Sequence, residues 1–169
     1  MPITYANDVT LMRGALYISD NRSDQAIRVE PADFLKSKVA PKITVIFKDK
    51  AINPTGLYPG KRGALLIAGW KDKDNPRGIY SMPPGKEPVP LTDNFGMIDG
   101  IYQMRNGDIL ATDWKTGSLI RWNKKDGMQT LAIGFKGPAD FCVVRNEAGW
   151  LVAVPDLAEG EIRLIQLGL

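Results

Sequence analysis

The sequence contains four copies of one short pattern, and this repetition constrains the fold more than any other feature. Each copy has a glycine followed by an apolar run, and three of the four runs end in aspartate. The four glycines are Gly14, Gly63, Gly107 and Gly149, so successive copies lie 49, 44 and 42 residues apart. A period of this length, with turn formers between short alternating runs, is typical of β-propeller blades.

Each copy is predicted to form four short strands. One run precedes the glycine, and two alternating runs follow the apolar run, although the last copy stops after its third strand. The turn formers Pro84-Gly85 and Asp126-Gly127 stand where hairpins join the third and fourth strands. In the first copy, residues 31–39 take the place of such a turn and are expected to form a short surface helix.

These strands predict an all-β chain that is a single β-propeller domain over residues 1–169. The four blades are expected at about residues 1–50, 51–95, 96–136 and 137–169. One sheet has two faces to bury, and blades packed side by side cover both. Because the last copy lacks a fourth strand and few residues precede the first, we expect an N-terminal part of the propeller to be missing.

The composition argues against several classes of function. The 169 residues contain no histidine, which excludes Ser-His and Cys-His catalysis by these residues and removes the commonest zinc ligand. The net charge is only +3 and no basic run stands out, so a nucleic-acid partner is not expected. No stretch has membrane-spanning length and no leader is recognised, so we expect a soluble chain with no membrane partner, in a compartment left open. Cys142 lies in an apolar run, which predicts a buried, inert thiol.

Three segments at the starts of predicted strands carry a family resemblance: residues 5–9 (Tyr-Ala-Asn-Asp-Val), 53–57 (Asn-Pro-Thr-Gly-Leu) and 98–101 (Ile-Asp-Gly-Ile). Residues 111–122, which contain Ala-Thr-Asp-Trp and Gly-Ser-Leu-Ile-Arg-Trp, support it. In this order they resemble motifs of the senescence marker protein/gluconolactonase/strictosidine-synthase-like group of six-bladed propellers. The resemblance covers the whole chain and implies that it spans about the third blade to the last.

The resemblance implies a divalent cation, usually calcium, on the propeller axis. By position, Asp99 matches an aspartate that binds the metal and can act as a general base, and Asn7 matches an asparagine that lines the substrate pocket. Thr55 stands where the family has an asparagine ligand, and Asn53, two residues earlier, is another candidate ligand. The family's glutamate ligand belongs to a blade that these residues lack. Calcium takes six to eight oxygen ligands, so the site is half built in this chain.

The tryptophans divide by their predicted surroundings. Trp114 follows a strand into a loop and is predicted to border the pocket as a substrate-binding residue. Trp122 and Trp150 lie inside strands, where packing between blades is expected.

Two sets of aspartates recur in the repeats. Asp8 and Asp140 occupy the place of Asp99 in their own blades, and a structural role is expected for both. The second set follows the second strand, where hydrogen bonds to loop amides are expected, and consists of Asp20, Asp113 and Asp156.

Two functions remain open. The resemblance predicts a calcium-dependent hydrolase of the lactonase kind, acting on a small molecule such as a lactone. The alternative is a non-catalytic propeller that binds small molecules or protein partners on its loop face, which Thr55 and the missing glutamate favour. In either case an open arc of blades would expose a blade face and a strand edge, which predicts self-association.

Overall fold

A computed structural model describes residues 3–168, which form four antiparallel sheets. In each sheet, strands that follow one another in sequence pair with one another, as in a meander. The sheets are the blades of a β-propeller, so the predicted all-β propeller fold is confirmed. No helix within residues 3–168 is long and apolar enough to cross a membrane.

Three blades have four strands, and the fourth blade has three within the described residues. The first blade consists of β1 Ala6–Met12, β2 Ala15–Asp20, β3 Gln25–Glu30 and β4 Lys42–Lys48. The second consists of β5 Pro54–Pro59, β6 Leu65–Gly69, β7 Ile79–Met82 and β8 Val89–Pro90. The third consists of β9 Ile98–Gln103, β10 Ile109–Asp113, β11 Ser118–Asn123 and β12 Gly127–Ile133. The fourth consists of β13 Cys142–Asn146, β14 Gly149–Asp156 and β15 Glu161–Leu167.

The insertion between β3 and β4 contains a helix that is shorter than the sequence indicates. Helix α1 spans only Phe34–Ser37, because Lys38 takes a left-handed conformation with φ of 56° and ends it. Two short 3-10 segments, Asn21–Ser23 and Lys61–Gly63, lie in the β2–β3 and β5–β6 connections.

The core consists of three layers, each lying between two adjacent blades. Tyr17 and Leu57 belong to the first layer, Ile79 and Ile98 to the second, and Leu110 and Val152 to the third. The second strands of the inner blades are buried on both faces, as β6 and β10 illustrate, and therefore read as continuous apolar runs.

The tryptophans inside strands pack between blades, as predicted. Trp122 is partly buried against the layer between the second and third blades, and Trp150 against the layer between the third and fourth. The expectation of a buried Cys142 is wrong. This residue is exposed, because its side of the fourth blade has no neighbouring blade within the described residues.

The aspartates that follow the second strands join each blade to the segment before its first strand. Asp20 accepts hydrogen bonds from the amides of Thr4 and Tyr5, both at 2.9 Å. The other two act in the same way: Asp113 accepts from the Met97 amide, and Asp156 accepts from the Lys136 and Gly137 amides. Burial alone would raise the pKa of Asp20 and Asp156, but these hydrogen bonds outweigh it and hold both below the ordinary value.

The second blade has Gly69 where the others have this aspartate. A Cβ atom at Gly69 would lie 2.6 Å from the Ile52 carbonyl oxygen and 2.8 Å from Cβ of Arg77. There is no room for a side chain, which explains the departure from the repeat.

Candidate functional site

A pocket of about 400 Å³ lies on the face of the propeller where the first strands of the blades begin. Four of the five predicted site residues line it, and only Asn53 does not. The lining residues are Tyr5, Asn7, Asn21, Arg22, Thr55, Trp70, Asp99, Trp114 and Leu157. The repeat therefore brings together side chains from three first strands and from the loops that follow the second strands.

Two glycines allow the first strands to approach one another closely around Asp99. A Cβ atom at Gly56 would lie 2.1 Å from the carbonyl oxygen of Asp99, and one at Gly100 would lie 2.6 Å from the Phe141 ring. Close packing therefore requires a glycine after each predicted ligand position, Gly56 after Thr55 in the second blade and Gly100 after Asp99 in the third. This packing places Asp99 between two neighbouring blades.

Asp99 has an unusually basic carboxylate. Burial raises its pKa from 3.8 to about 6, assisted by the negative charges of Asp140 and Asp8, while a hydrogen bond from Trp114 acts in the opposite direction. A carboxylic acid with a pKa near 6 exchanges protons readily close to neutral pH, which suits a general acid or base.

The two charge partners of Asp99 come from the equivalent positions of the first and fourth blades. Burial raises the pKa of Asp8 despite hydrogen bonds from the Leu57 and Val9 amides, and burial together with Asp8 raises the pKa of Asp140. Asp8 also joins two blades, since its Oδ2 accepts a hydrogen bond from the Leu57 amide at 2.6 Å. Asp8 and Asp140 were predicted to have only structural roles. Their alignment with Asp99 in the repeat was the signal that they share its environment.

The two other predicted metal ligands make hydrogen bonds within the fold. The Thr55 hydroxyl is buried, 2.6 Å from the Ile98 carbonyl oxygen and 3.2 Å from that of Ala68. The Asn53 amide nitrogen donates to the Asn21 carbonyl and to Oδ1 of Asp24. Asn53 therefore joins its segment to the β2–β3 connection of the first blade, and Thr55 links the second blade to the third.

These contacts do not fit the calcium site that the resemblance implies. Asn53 does not line the pocket, and its amide group is held by Asn21 and Asp24, so Asp99 supplies the one carboxylate among the lining residues and Asn53 stands apart from it. Within residues 3–168, no three His, Cys, Asp or Glu side chains are grouped so that they could hold one metal ion. Calcium needs six to eight oxygens. We therefore derive no chemical step through a metal at this site.

Aromatic side chains form much of the pocket wall. The rings of Trp70 and Trp114 meet edge to face with their centroids 5.0 Å apart. The Arg22 guanidinium lies 4.7 Å from the centre of the Tyr5 ring. Such a wall suits a ligand with an apolar face, and Asn7 and Asn21 add polar groups beside it. Of these, Trp114 was predicted from the sequence. Trp70, Asn21 and Arg22 lie outside the motifs, and Tyr5 lies in the motif of residues 5–9 but was not predicted to line the pocket.

No family model matches the sequence, and no curated protein resembles it significantly. Solved structures resemble the fold. A streptogramin B lyase superimposes with a TM-score of 0.68 at 12% identity, over 99% of this chain and 56% of that chain. A virginiamycin B lyase from Staphylococcus aureus superimposes with a TM-score of 0.65 at 14% identity, over 98% of this chain and 56% of that chain. A gluconolactonase-family propeller superimposes with a TM-score of 0.63 at 16% identity, over 96% of this chain and 63% of that chain.

The chain thus spans little more than half the length of the two lyase structures. At these identities the similarity shows a shared β-propeller fold. Activity, substrate and metal are not transferred by it.

Proposed function

We propose that the protein hydrolyses a small cyclic ester in the pocket that Asp99 lines, with Asp99 as the general base. The observation that carries the proposal is the Asp99 carboxylate, with a pKa of about 6, in a pocket walled by tryptophans. Perturbed carboxylates in clefts are characteristic of catalytic sites. The resemblance to lactonases supports an ester as the reacting group.

In the proposed reaction Asp99 takes a proton from water as the oxygen of that water bonds to the ester carbonyl carbon. The carbon–oxygen bond of the ring then breaks, and the proton passes from Asp99 to the departing alkoxide, so that the product is a hydroxy acid. Asn7 lies in the same pocket and carries an amide group able to donate to the carbonyl oxygen as it becomes negative. Trp114 would contact the ring of the substrate while it holds Asp99 through its indole nitrogen.

Calcium remains a prediction of the resemblance in this proposal. If a cation binds this chain, Asp99 is the carboxylate of the pocket that would hold it, and a cation would oppose the charges that raise its pKa.

A second candidate is a non-catalytic propeller that binds a small molecule in the same pocket. The hydrogen bonds made by Thr55 and Asn53 favour it, because they give these two residues a structural role. It predicts ligand binding without turnover.

A lyase activity like that of the structural neighbours has less support. The virginiamycin B lyase structure is a catalytically inactive histidine-to-alanine variant with quinupristin. The 169 residues of this chain contain no histidine that could take such a part.

The test is the rate of ring opening of five- and six-membered lactones, followed by acid release, with calcium added or removed by a chelator. We expect Asp99→Asn to abolish the enzymatic rate and the wild-type rate to rise with pH through a midpoint near 6. Asp126→Asn is the matched control, because Asp126 lies in the exposed β11–β12 turn outside the pocket.

Turnover that survives Asp99→Asn would exclude Asp99 as the base. Quenching of tryptophan fluorescence would show whether the wild-type chain binds lactones. If it binds them but does not open them, with or without calcium, the result would favour the non-catalytic binding function.

A further inference from the structure

A second pocket, of about 480 Å³, lies between the first and second blades on the face of the propeller opposite Asp99. Met12 at the end of β1 and Met82 at the end of β7 line it, whereas the pocket that Asp99 lines lies where the first strands begin. Both of its walls belong to blades of this chain. Its volume is that of a site for a small molecule.

Three cationic side chains from three separate segments line this second pocket. Arg13 lies in the β1–β2 turn, Arg28 on β3 and Lys86 in the β7–β8 turn. The one acidic lining residue is Glu87. The Arg13 guanidinium reaches the second blade and lies against Gly63, so closely that a Cβ atom there would overlap it. The excess of positive charge favours an anionic ligand.

The repeat gives Arg28 an equivalent in the third blade, Arg121. Arg28 lies opposite Tyr17 on the neighbouring strand. Arg121 lies opposite Leu110, which holds the same place after its repeat glycine as Tyr17 does. In the third blade, Nε and Nη2 of Arg121 both bind Oδ2 of Asp108, each at 2.6 Å. An arginine at this position of the repeat can therefore hold a carboxylate with two of its nitrogens.

The first blade lacks that carboxylate. Ala15 stands where the third blade has Asp108, directly after the repeat glycine. Nη2 of Arg28 pairs with Glu30 instead, and its Nε is buried without a hydrogen-bond partner in the part of the chain that the structure describes. An arginine has five N–H donors, and a buried donor without an acceptor is unfavourable. Arg28 therefore retains donor capacity that an oxyanion in the pocket can satisfy.

We propose that this second pocket binds an organic phosphate, whose oxyanion pairs with Arg28 as Asp108 pairs with Arg121. Phosphate fits better than carboxylate, because it offers three oxygens to three cationic groups on separate segments. Nε of Arg28 is covered by its neighbours, so the guanidinium must turn to meet the ligand, and its 38% exposed side chain has room to do so. The apolar part of the ligand lies against Met12 and Met82. This inference does not depend on the proposed hydrolysis.

The test is a calorimetric titration of the protein with phenyl phosphate. We expect saturable binding with a dissociation constant below about 1 mM. Arg28→Gln should weaken binding by about tenfold or more, because it removes the charge-assisted pair. Arg13→Gln should weaken it as well, by about threefold. Lys125→Gln is the matched control, since it removes one positive charge from the exposed β11–β12 turn and should leave the affinity unchanged.

Ala15→Asp is an independent test, because it gives the first blade the carboxylate of the third. That carboxylate should pair with Arg28 within the chain and abolish the binding of phenyl phosphate. Ala15 is buried, so circular dichroism must verify that the variant retains its strands. If it does not fold, Arg28→Gln still decides the question, since Arg28 is only partly buried.

Two further comparisons identify the pocket and the ligand group. Arg22→Gln removes the cation that lines the pocket of Asp99 and should not change the affinity, and a loss of binding would place the ligand there instead. Benzoate has the same ring with a carboxylate and should bind more weakly, and equal affinity would refute the choice of phosphate. The absence of saturable binding, an unchanged affinity in Arg28→Gln, or an equal loss in Lys125→Gln would each overturn the proposal.

Discussion

The indole nitrogen of Trp114 donates a hydrogen bond to Oδ2 of Asp99 across 3.3 Å. The bond joins the loop that follows β10 to the start of β9 in the same blade. It stabilises the ionised carboxylate, whereas burial and the charges of Asp140 and Asp8 stabilise the neutral acid. The balance of these effects leaves the pKa of Asp99 at about 6.

Removing this hydrogen bond should raise the pKa of Asp99. Trp114→Phe keeps an aromatic wall but has no donor, so the midpoint should move above 6, as measured by carbon NMR of the labelled carboxyl. Trp70→Phe changes the facing ring without touching the hydrogen bond and should leave the midpoint in place. A Trp114→Phe midpoint at or below the wild-type value would contradict the assignment.

Removing the neighbouring charge should have the opposite effect. Asp140→Asn eliminates a repulsion that favours the neutral form of Asp99, so the pKa of Asp99 should fall. The same NMR titration measures it, with Asp126→Asn as the remote control. An unchanged midpoint would mean that Asp140 does not contribute, so that burial and Asp8 account for the raised pKa.

The raised pKa also makes Asp99 destabilising above acidic pH. Well below pH 3.8 the Asp99 carboxyl is neutral in both the folded and the unfolded chain. As the pH rises the unfolded chain ionises first, so the free energy of unfolding falls until the pH passes the folded pKa of about 6. Asp99→Asn should therefore increase the free energy of unfolding by up to about 3 kcal/mol at pH 7 and little at pH 3. Urea unfolding at both pH values gives the difference, and equal gains at both would refute the electrostatic origin.

The aspartate that follows the second strand should stabilise the third blade, where it is present, whereas introducing it at Gly69 should destabilise the second blade. Asp113→Ala removes acceptors for the Met97 and Lys115 amides and for the Thr116 hydroxyl, and should cost about 3 kcal/mol. Gly69→Asp restores the repeat pattern yet should cost about 2 kcal/mol, because its Cβ would meet Ile52 and Arg77. Thermal unfolding of both variants measures these changes in stability. A stabilised Gly69→Asp variant would show that Ile52 and Arg77 can move to make room for the side chain.

Thr55 should behave as a structural residue. Thr55→Val keeps the shape but leaves the buried Ile98 carbonyl without its donor, which should cost about 1–2 kcal/mol of stability. Thr55→Ser retains the hydroxyl and should recover most of the loss. Calcium affinity, measured by calorimetry, should be the same for wild type and Thr55→Val, and a weakened affinity would restore Thr55 as a ligand.

Much of the fold could be predicted because the repeat acts locally. Glycine and the apolar run recur in each copy and the terminal aspartate in three of the four, and the short alternating runs with turn formers between them indicate the strands of each blade. The helix between β3 and β4 was overestimated, since the left-handed conformation of Lys38 has no clear sequence signal.

The site was predictable only where a motif marked it. Asn7, Thr55, Asp99 and Trp114 were identified at the pocket, but their contacts were not. The orientation of Asn53 towards Asp24 depends on how two blades meet, and Trp70 has no motif.

By itself the sequence determined the four blades and the place of Asp99 at the start of a first strand, because strand periodicity and turn chemistry act over a few neighbouring residues. Only the tertiary structure decided the ionisation of Asp99, which depends on burial and on the charges of Asp140 and Asp8, which lie in two other blades far away in sequence. It likewise decided that the Thr55 hydroxyl faces a backbone carbonyl and that Cys142 is exposed. Contacts between blades set these properties, and no local pattern encodes them.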